Sequence, residues 1–399
     1  MSYVEFIEPY YYNVLYYFLL LFLSWVTVLY HIGSNGQKIL HEENKNSISQ
    51  LSAVILTGFF IYYIGLRPVS GASFGDMALY AMSYEHTTLE STYYPISLHT
   101  EWLWQNLTIF CAHMGMNVNE YFFVIALIYY GSMFFCAWYL TRHNLWLTIM
   151  FFFTAFSTYS YGTNGIRNGM ACSIVLVAIC LLIDSNGFKK TISLVLMFLA
   201  LGVHRSTMLP SVSALLTFYV VKDTKWAFRF WLISFALSLV FGNAAAAFFA
   251  ALGFDNRLET YYQGQYKEST SEMFSSAGFR WDFWLYSAAP VAMIWYTTRK
   301  RHFTDLGYTM IANTYLLCNA FWIIVIRSSF SNRFGYLSWF IYPLVFAYPL
   351  LRMNLWKDQD RKTAIIFFFY SAFVFFMYFI YYFGTTGFRG FDLYWWRKA

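Results

Sequence analysis

The sequence is poor in charge, and it lacks the paired motifs of cysteine chemistry. Asp, Glu, Lys and Arg make up 12% of the residues, about half of their share in soluble domains, whereas apolar residues make up 59%. This composition excludes a soluble globule and predicts a single polytopic membrane domain over residues 1–399. The five cysteines form no C-x-x-C pair, which argues against a disulfide framework or a cysteine-ligated metal. The net charge of +6 is spread over loops without a basic tail, so no nucleic-acid partner is expected.

General catalytic motifs are also missing from the sequence. It contains no Walker A motif, no H-E-x-x-H and no G-x-S-x-G. No cluster of Asp, Glu and His residues requires a metal, and we expect neither a metal nor a cofactor. The first apolar run, from Tyr10 to Ile32, is too long for the apolar region of a signal peptide and is taken as a membrane span.

Long apolar runs dominate the chain and predict an all-α fold. A span needs about 20 apolar residues, fewer among other helices. The short pair 190–203 and 206–221 forms either two spans or a re-entrant hairpin with His204 at its tip. About twelve spans are predicted: 10–32, 49–66, 120–140, 144–160, 167–183, 190–203, 206–221, 226–242, 283–298, 307–326, 334–351 and 363–383.

The distribution of Lys and Arg predicts the orientation. Six alternate loops carry 15 of the 26 basic residues against 7 of the 20 acidic residues. By the positive-inside rule these loops are cytoplasmic, and both termini are then expected outside. The six loops are 33–48, 141–143, 184–190, 222–229, 299–306 and 352–362.

Two long loops fall on the opposite, periplasmic face. They cover residues 67–119 and 243–282, and loops of this length in a compact bundle are usually functional. Within the first loop, apolar residues from Thr100 to Met114 recur at helical spacing, which predicts an amphipathic helix in the membrane interface.

The strongest functional candidate on this face is Arg167. It stands among Gly162, Gly165 and Gly169, at the predicted start of a helix. Glycines allow a close approach of backbone and ligand, and the first N–H groups of a helix bind anions. The alternative is an interfacial arginine that extends its charged end toward water.

Three residues on the same face are candidates for a general base. Asp76 follows a glycine turn, and its alternative role is a helix N-cap. Glu101 is otherwise a first-turn acid that interacts with the helix dipole. His204, which precedes Arg205, is otherwise a buried histidine with satisfied hydrogen bonds. We rank Asp76 first, because Tyr80 one helical turn later can share its hydrogen bonding.

Further arginines predict recognition of a diphosphate. Guanidinium groups bind phosphate oxygens through two hydrogen bonds and stabilise a leaving group that gains negative charge. Surface ion pairs are the alternative explanation. The predicted substrate-binding residues are Arg67, Tyr80, Arg167, Arg205, Arg280, Arg333 and Tyr336.

The order of these motifs resembles the EpsG-like, Wzy-type polysaccharide polymerases, over about residues 60 to 340. At Trp102 the sequence departs from the acidic-Pro pattern of the family. The motifs that carry the resemblance are Arg67, Gly75-Asp76, Tyr80, Glu101, Ile166-Arg167-Asn168-Gly169-Met170-Ala171, His204-Arg205-Ser206 and Arg333-Phe334-Gly335-Tyr336.

This resemblance implies a GT-C-like helical fold and a glycosyltransferase of the bacterial inner membrane with a periplasmic active site. It implies undecaprenyl-diphosphate-linked oligosaccharide as donor and acceptor, membrane lipid as a partner, and a chain-length regulator protein as a further partner. An O-antigen ligase or a membrane acyltransferase is the alternative enzyme. A flippase for lipid-linked oligosaccharides is less favoured, because the charges lie at helix ends and not deep in the spans.

Overall fold

The protein is all-helical wherever the structure describes it. The computed structural model describes residues 8–9, 11–34, 36–40, 47–90, 101–184, 186–251, 279–303, 305–327 and 331–386. Within these ranges it contains seventeen α-helices and no β-strand. The helices are α1 Tyr11–Ile32, α2 Ser47–Gly65, α3 Gly71–Phe74, α4 Met77–Glu90, α5 Trp102–His113, α6 Val118–Thr141, α7 Leu145–Phe153, α8 Phe156–Thr163, α9 Ile166–Leu182, α10 Gly187–Val203, α11 Met208–Tyr219, α12 Thr224–Ala251, α13 Trp281–Trp295, α14 Leu306–Ile324, α15 Asn332–Trp339, α16 Tyr342–Arg352 and α17 Gln359–Thr386.

Four helical segments in the described part are long and apolar enough to cross a membrane. They are Tyr11–Ile32, Val118–Phe153, Thr224–Phe241 and Arg333–Arg352. This composition is that of an integral membrane protein. The count of twelve spans, the GT-C-like arrangement and the orientation stay predictions.

One predicted span, 144–160, is broken in the structure. Helix α7 ends at Phe153, and Ala155 adopts an extended conformation before α8 begins. Side-chain hydroxyls replace the missing helical N–H donors. Tyr370 donates to the carbonyl of Phe151, Thr158 to that of Phe152, and Tyr16 to that of Phe153. Because these carbonyls are satisfied within the protein, the break is tolerated among apolar helices.

A second predicted span, 334–351, is also interrupted. Helix α15 ends at Trp339, and α16 begins at Tyr342 with Pro343 in its first turn. Proline has no N–H to donate and suits the start of a helix, which explains the new beginning. The predicted loop 243–282 differs as well, because α12 continues through Ala251; residues 252–278 lie outside the described residues.

The segment 190–221 forms two separate helices. Helix α10 ends at Val203, and His204 links it in an extended conformation to the short turn before α11. Helix α10 packs on α9 and α5, whereas α11 packs mainly on α14. His204 therefore lies at a junction between two helices, as expected from the sequence.

The predicted loop 67–119 folds into α3, α4 and α5, which rest on a core of their own. The predicted amphipathic segment is helical as α5, whose buried face consists of Trp104, Thr108 and Cys111. This face packs with α4, with the starts of α6 and α9 and with the end of α10, at residues such as Tyr121 and Val203. The small core thus fixes the former loop against the start of α9, where the candidate residues lie.

Candidate active site

The site is built around the turn between α8 and α9. The N–H groups of Asn164 and Gly165 both donate to the carbonyl of Ser160, at 2.8 and 3.0 Å, which ends α8. Helix α9 starts one residue later, with Arg167 in its first turn. Gly165 supplies no side-chain cap, so the first N–H groups of α9 have no hydrogen bond from its N-cap side chain. This leaves a helix N-terminus that suits an anion.

Gly169 is required by the close packing of these two helices. A Cβ atom at this position would lie 2.6 Å from the carbonyl oxygen of Tyr161. Any larger residue would push α9 away from α8 and displace Arg167. The glycine predicted to allow a ligand to approach therefore has a packing role.

Arg67 lies beneath the turn, fully buried at 1% exposure. Its Nη1 donates to the carbonyl of Ile64 at 2.5 Å and its Nη2 to that of Thr163 at 2.8 Å. These carbonyls lie at the C-terminal ends of α2 and α8, whose dipoles stabilise a positive charge. The rings of Phe74 and Phe122 lie 5.3 Å from its guanidinium carbon. Burial lowers the pKa of Arg67 to about 10, so the side chain stays charged at neutral pH and holds the turn in place.

Glu101, Arg167 and His204 come together at one face of the turn. Arg167 Nη1 lies 2.5 Å from Glu101 Oε2, and both side chains are only 18% exposed. His204 Nδ1 lies 3.6 Å from Glu101 Oε1. Among the described residues, the buried Nε of Arg167 has no hydrogen-bond partner. Glu101 thus orients the guanidinium, whose side chain is still partly exposed.

A contact between α5 and α10 brings Glu101 to this position. Trp102 follows Glu101, and its ring lies so close to Gly202 that a Cβ there would be 2.7 Å from Trp102 Cε2. Gly202 precedes His204 by two residues. The departure from the family pattern at Trp102 therefore has a packing role, which the sequence alone did not reveal.

The hydrogen bonds of His204 favour one tautomer. The backbone N–H of Ser206 donates to His204 Nδ1 at 3.2 Å, and Ser206 Oγ lies 2.8 Å from the same nitrogen. Since an amide N–H can only donate, Nδ1 accepts in the neutral ring and the proton sits on Nε2. Ser206 and Glu101 face the same ring nitrogen, so the three residues do not form a nucleophilic triad, in which serine and acid face opposite nitrogens.

Asp76 reaches the other face of the turn. It follows Gly75, whose φ of +55° favours glycine, and its backbone N–H donates to Asn164 Oδ1 at 2.8 Å. Its carboxylate lies 4.0 Å from Arg333 Nη2, with exposures of 43% and 39%. The carboxylate is thus accessible and close to a guanidinium group, as a general base near a diphosphate would be.

Helix α15 contributes Arg333 and Tyr336 to the same region. The ring of Tyr336, 8% exposed, lies 3.8 Å from the ring of Tyr161 at its centroid. Tyr161 lies in the last turn of α8, and its hydroxyl accepts a hydrogen bond from Asn168 Nδ2 of α9 at 3.3 Å. This aromatic contact anchors α15 against the turn and explains how residues 175 positions apart meet.

Three predicted residues have different surroundings. Tyr80 packs edge-on against Trp104, with the ring centroids 5.5 Å apart, and Arg205 is exposed. Arg280 forms two hydrogen bonds to Asp282, at 3.0 and 2.6 Å, and stacks on an aromatic ring. Burial would raise the pKa of Asp282, but its hydrogen bonds and charge contact with Arg280 hold the pKa below its usual value. None of these contacts of Arg280 is with a described residue of the α8–α9 turn.

Sequence reasoning assigned no role to Asn164, Gly202 or Ser206. Asn164 stands in Thr163-Asn164-Gly165, a turn-forming pattern that could have suggested a side-chain bond to backbone. Nothing in the sequence indicates its partner. In the described part of the chain no group of three His, Cys, Asp or Glu residues is placed to hold a metal ion.

Comparison with known proteins gives one match. The model of the EpsG family matches residues 50–391, which cover most of the chain and every residue of the site. No curated protein and no solved structure matches the sequence.

Proposed function

Because the chain belongs to the EpsG family, which indicates a polysaccharide polymerase-like membrane protein, we propose that it extends a lipid-linked glycan. The donor is a growing glycan on undecaprenyl diphosphate, and the acceptor is a lipid-linked repeat unit. The reaction takes place at the periplasmic face of the inner membrane. The observation that carries this proposal is the convergence of two acids and two arginines on the α8–α9 turn.

The proposed step is a glycosyl transfer with a diphosphate leaving group. An acceptor hydroxyl oxygen forms a bond to the anomeric carbon, while the bond from this carbon to the phosphate oxygen breaks. The hydroxyl proton passes to Asp76, and undecaprenyl diphosphate leaves with the electron pair. A positioned base contributes about 10²–10⁴-fold to such a step.

Arg167 and Arg333 are proposed to hold the diphosphate. The side chain of Arg167 is 18% exposed and stands at the start of α9, where the N-cap residue gives no side-chain hydrogen bond. Guanidinium groups and helix N-termini both stabilise the charge that develops on the leaving group. Glu101 keeps Arg167 oriented, and Arg67, buried below, is proposed to act by holding the turn and not by touching substrate.

Among the candidate bases, Asp76 is supported best. Glu101 already pairs with Arg167, and the Nδ1 of His204 already accepts from the Ser206 amide. The carboxylate of Asp76 is 43% exposed and is therefore reachable by an acceptor hydroxyl. His204 is the second choice and Glu101 the third.

Deletion of the gene tests the function. The surface polysaccharide of the deletion strain is separated on a gel, with wild-type and Asp76→Asn chains supplied from a plasmid. We expect a single-repeat band from the deletion strain and a ladder only with the wild-type chain. A normal ladder in the deletion strain would contradict the polymerase, and loss of transfer to lipid A core with a normal ladder would indicate a ligase.

A further inference from the structure

The Gly75–Asp76 turn is held by a side chain on the opposite side of the site. Gly75 ends α3 with φ +55° and ψ −116°, a conformation that residues with a Cβ rarely adopt. The side chain of Asn164 covers it: a Cβ on Gly75 would lie 2.6 Å from Asn164 Oδ1. The same oxygen accepts the N–H of Asp76 at 2.8 Å. The position of Asp76 thus depends on a residue 88 positions away in the sequence.

Asn164 is itself rigidly held and lies next to the arginine site. Its backbone N–H closes the last turn of α8 on Ser160 at 2.8 Å, and Arg67 fixes the preceding carbonyl, that of Thr163. Arg167 follows three residues later in the first turn of α9. One side chain therefore connects the acid-bearing turn to the segment that carries the arginine.

We propose that Asn164 is a positioning residue that fixes the spacing between Asp76 and Arg167 during glycan transfer. This inference rests on the function proposed above. The carboxylate of Asp76 is 43% exposed, and its cationic neighbour among the described residues, Arg333, lies 4.0 Å away, so contacts of its side chain alone hold it weakly. Without the amide oxygen of Asn164, the turn loses the hydrogen bond that aims the carboxylate, while the α8–α9 connection keeps its own backbone bonds.

The test compares Asn164→Ala with Asn164→Asp in the full-length protein in detergent or nanodiscs. Asn164→Ala removes the acceptor, and we expect kcat to fall about 10²-fold, since displacements of about 1 Å have effects of this size. The KM for the lipid-linked donor should stay unchanged. Asn164→Asp keeps an acceptor oxygen but adds a negative charge beside Asp76. A like charge raises the pKa of the base, so we expect the acidic limb of the kcat/KM profile to move to higher pH, with kcat recovering there.

Asn186→Ala is a matched control. Asn186 also accepts a backbone N–H, that of Phe188 at 2.9 Å, but at the start of α10 on the predicted cytoplasmic side. This control variant also loses a hydrogen bond from a backbone N–H to an asparagine side chain, but we expect its kcat and pH profile to be unchanged. If Asn164→Ala keeps the wild-type kcat while Asp76→Asn is inactive, the proposal is overturned. The same follows if Asn164→Asp is as slow as Asn164→Ala at every pH.

Amide hydrogen exchange separates this inference from the proposed function. The N–H of Asp76 should exchange slowly in the wild-type protein and at least tenfold faster in Asn164→Ala, at an unchanged melting temperature. If exchange accelerates but the wild-type chain does not extend a lipid-linked glycan, the positioning of Asp76 by Asn164 is supported and the proposed function is refuted. If exchange at Asp76 does not change, the positioning of Asp76 by the side chain of Asn164 is refuted, whatever the activity.

Discussion

Replacing Asp76 by Asn separates catalysis from stability. The carboxylate lies 4.0 Å from Arg333, and the two side chains are 43% and 39% exposed. Ion pairs of this kind contribute about 0–1 kcal/mol, and solvent screening places this long contact at the lower end. The hydrogen bond to Asn164 uses the backbone N–H of Asp76 and survives the substitution. We therefore expect the free energy of unfolding to change by less than about 0.5 kcal/mol.

Glu101→Gln provides the contrasting case. Glu101 and Arg167 are each 18% exposed and only 2.5 Å apart, so the neutral variant leaves a mostly buried guanidinium without its counter-charge. Loss of one partner costs about 3–5 kcal/mol in a fully buried pair. With some solvent access we expect about 1–3 kcal/mol here, measured as a lower denaturation midpoint.

The assay measures both quantities on the same samples. Chain extension is followed with lipid-linked repeat units on a gel, and unfolding is followed in detergent. We expect Asp76→Asn to lose about 10²–10⁴-fold in rate at unchanged stability, and Glu101→Gln to lose stability and activity together. Asp223→Asn serves as control, because Asp223 is an exposed acid that accepts the N–H of Lys225 on the predicted opposite face. A normal ladder from Asp76→Asn, or destabilisation equal to that of Glu101→Gln, would refute this reasoning.

Three further predictions test the arginine, the helix packing and the orientation. Arg167→Lys keeps the charge but loses the planar guanidinium, which can bind Glu101 and a phosphate at the same time. Its chain-extension rate should fall about 10²-fold, and an unchanged rate would indicate an interfacial arginine. Gly202→Ala places a Cβ 2.7 Å from Trp102 and should cost about 1–3 kcal/mol of stability, seen as a lower midpoint in detergent; equal stability would show that α5 can move freely. Because the five native cysteines are buried, Met114→Cys should react with an impermeant maleimide from outside and Leu306→Cys only after lysis; the reverse pattern would invert the topology.

The sequence was sufficient for most helices, because apolar runs leave a local signal. The starts of α9 and α10 and the junction at His204 followed from such runs and their flanking turns. The breaks after Phe153 and Trp339 did not, because both interrupt continuous apolar stretches. Two of the three hydroxyls that make the first break tolerable come from distant residues: Tyr370, more than two hundred positions away, and Tyr16. A contact of that range leaves no trace in a local window.

The candidate site shows the same division between local and distant information. The residue types were found by their chemistry, since acids and arginines are rare in a chain with 12% charge. The contacts between them were not predicted. Glu101 was considered as a base and Arg167 as a diphosphate-binding residue, without a contact between the two, and Asn164 was given no role. Each of these contacts joins segments that are distant in the sequence and that pack on the small core beneath α5.

Arg67 and Arg167 show why the environment of an arginine, and not its position in the sequence, decides its role. Both stand at a helix end near small or turn-forming residues, and the sequence predicted substrate binding for both. Arg67 is 1% exposed, and its two amino nitrogens donate to carbonyls at the ends of two helices, so its charge is balanced by the fold itself. Arg167 is paired with one carboxylate and its side chain is 18% exposed, whereas the Nε atoms of both arginines have no hydrogen-bond partner among the described residues. An anion can therefore reach the partly exposed guanidinium of Arg167, but not that of Arg67, which is buried with both amino nitrogens bound to backbone carbonyls.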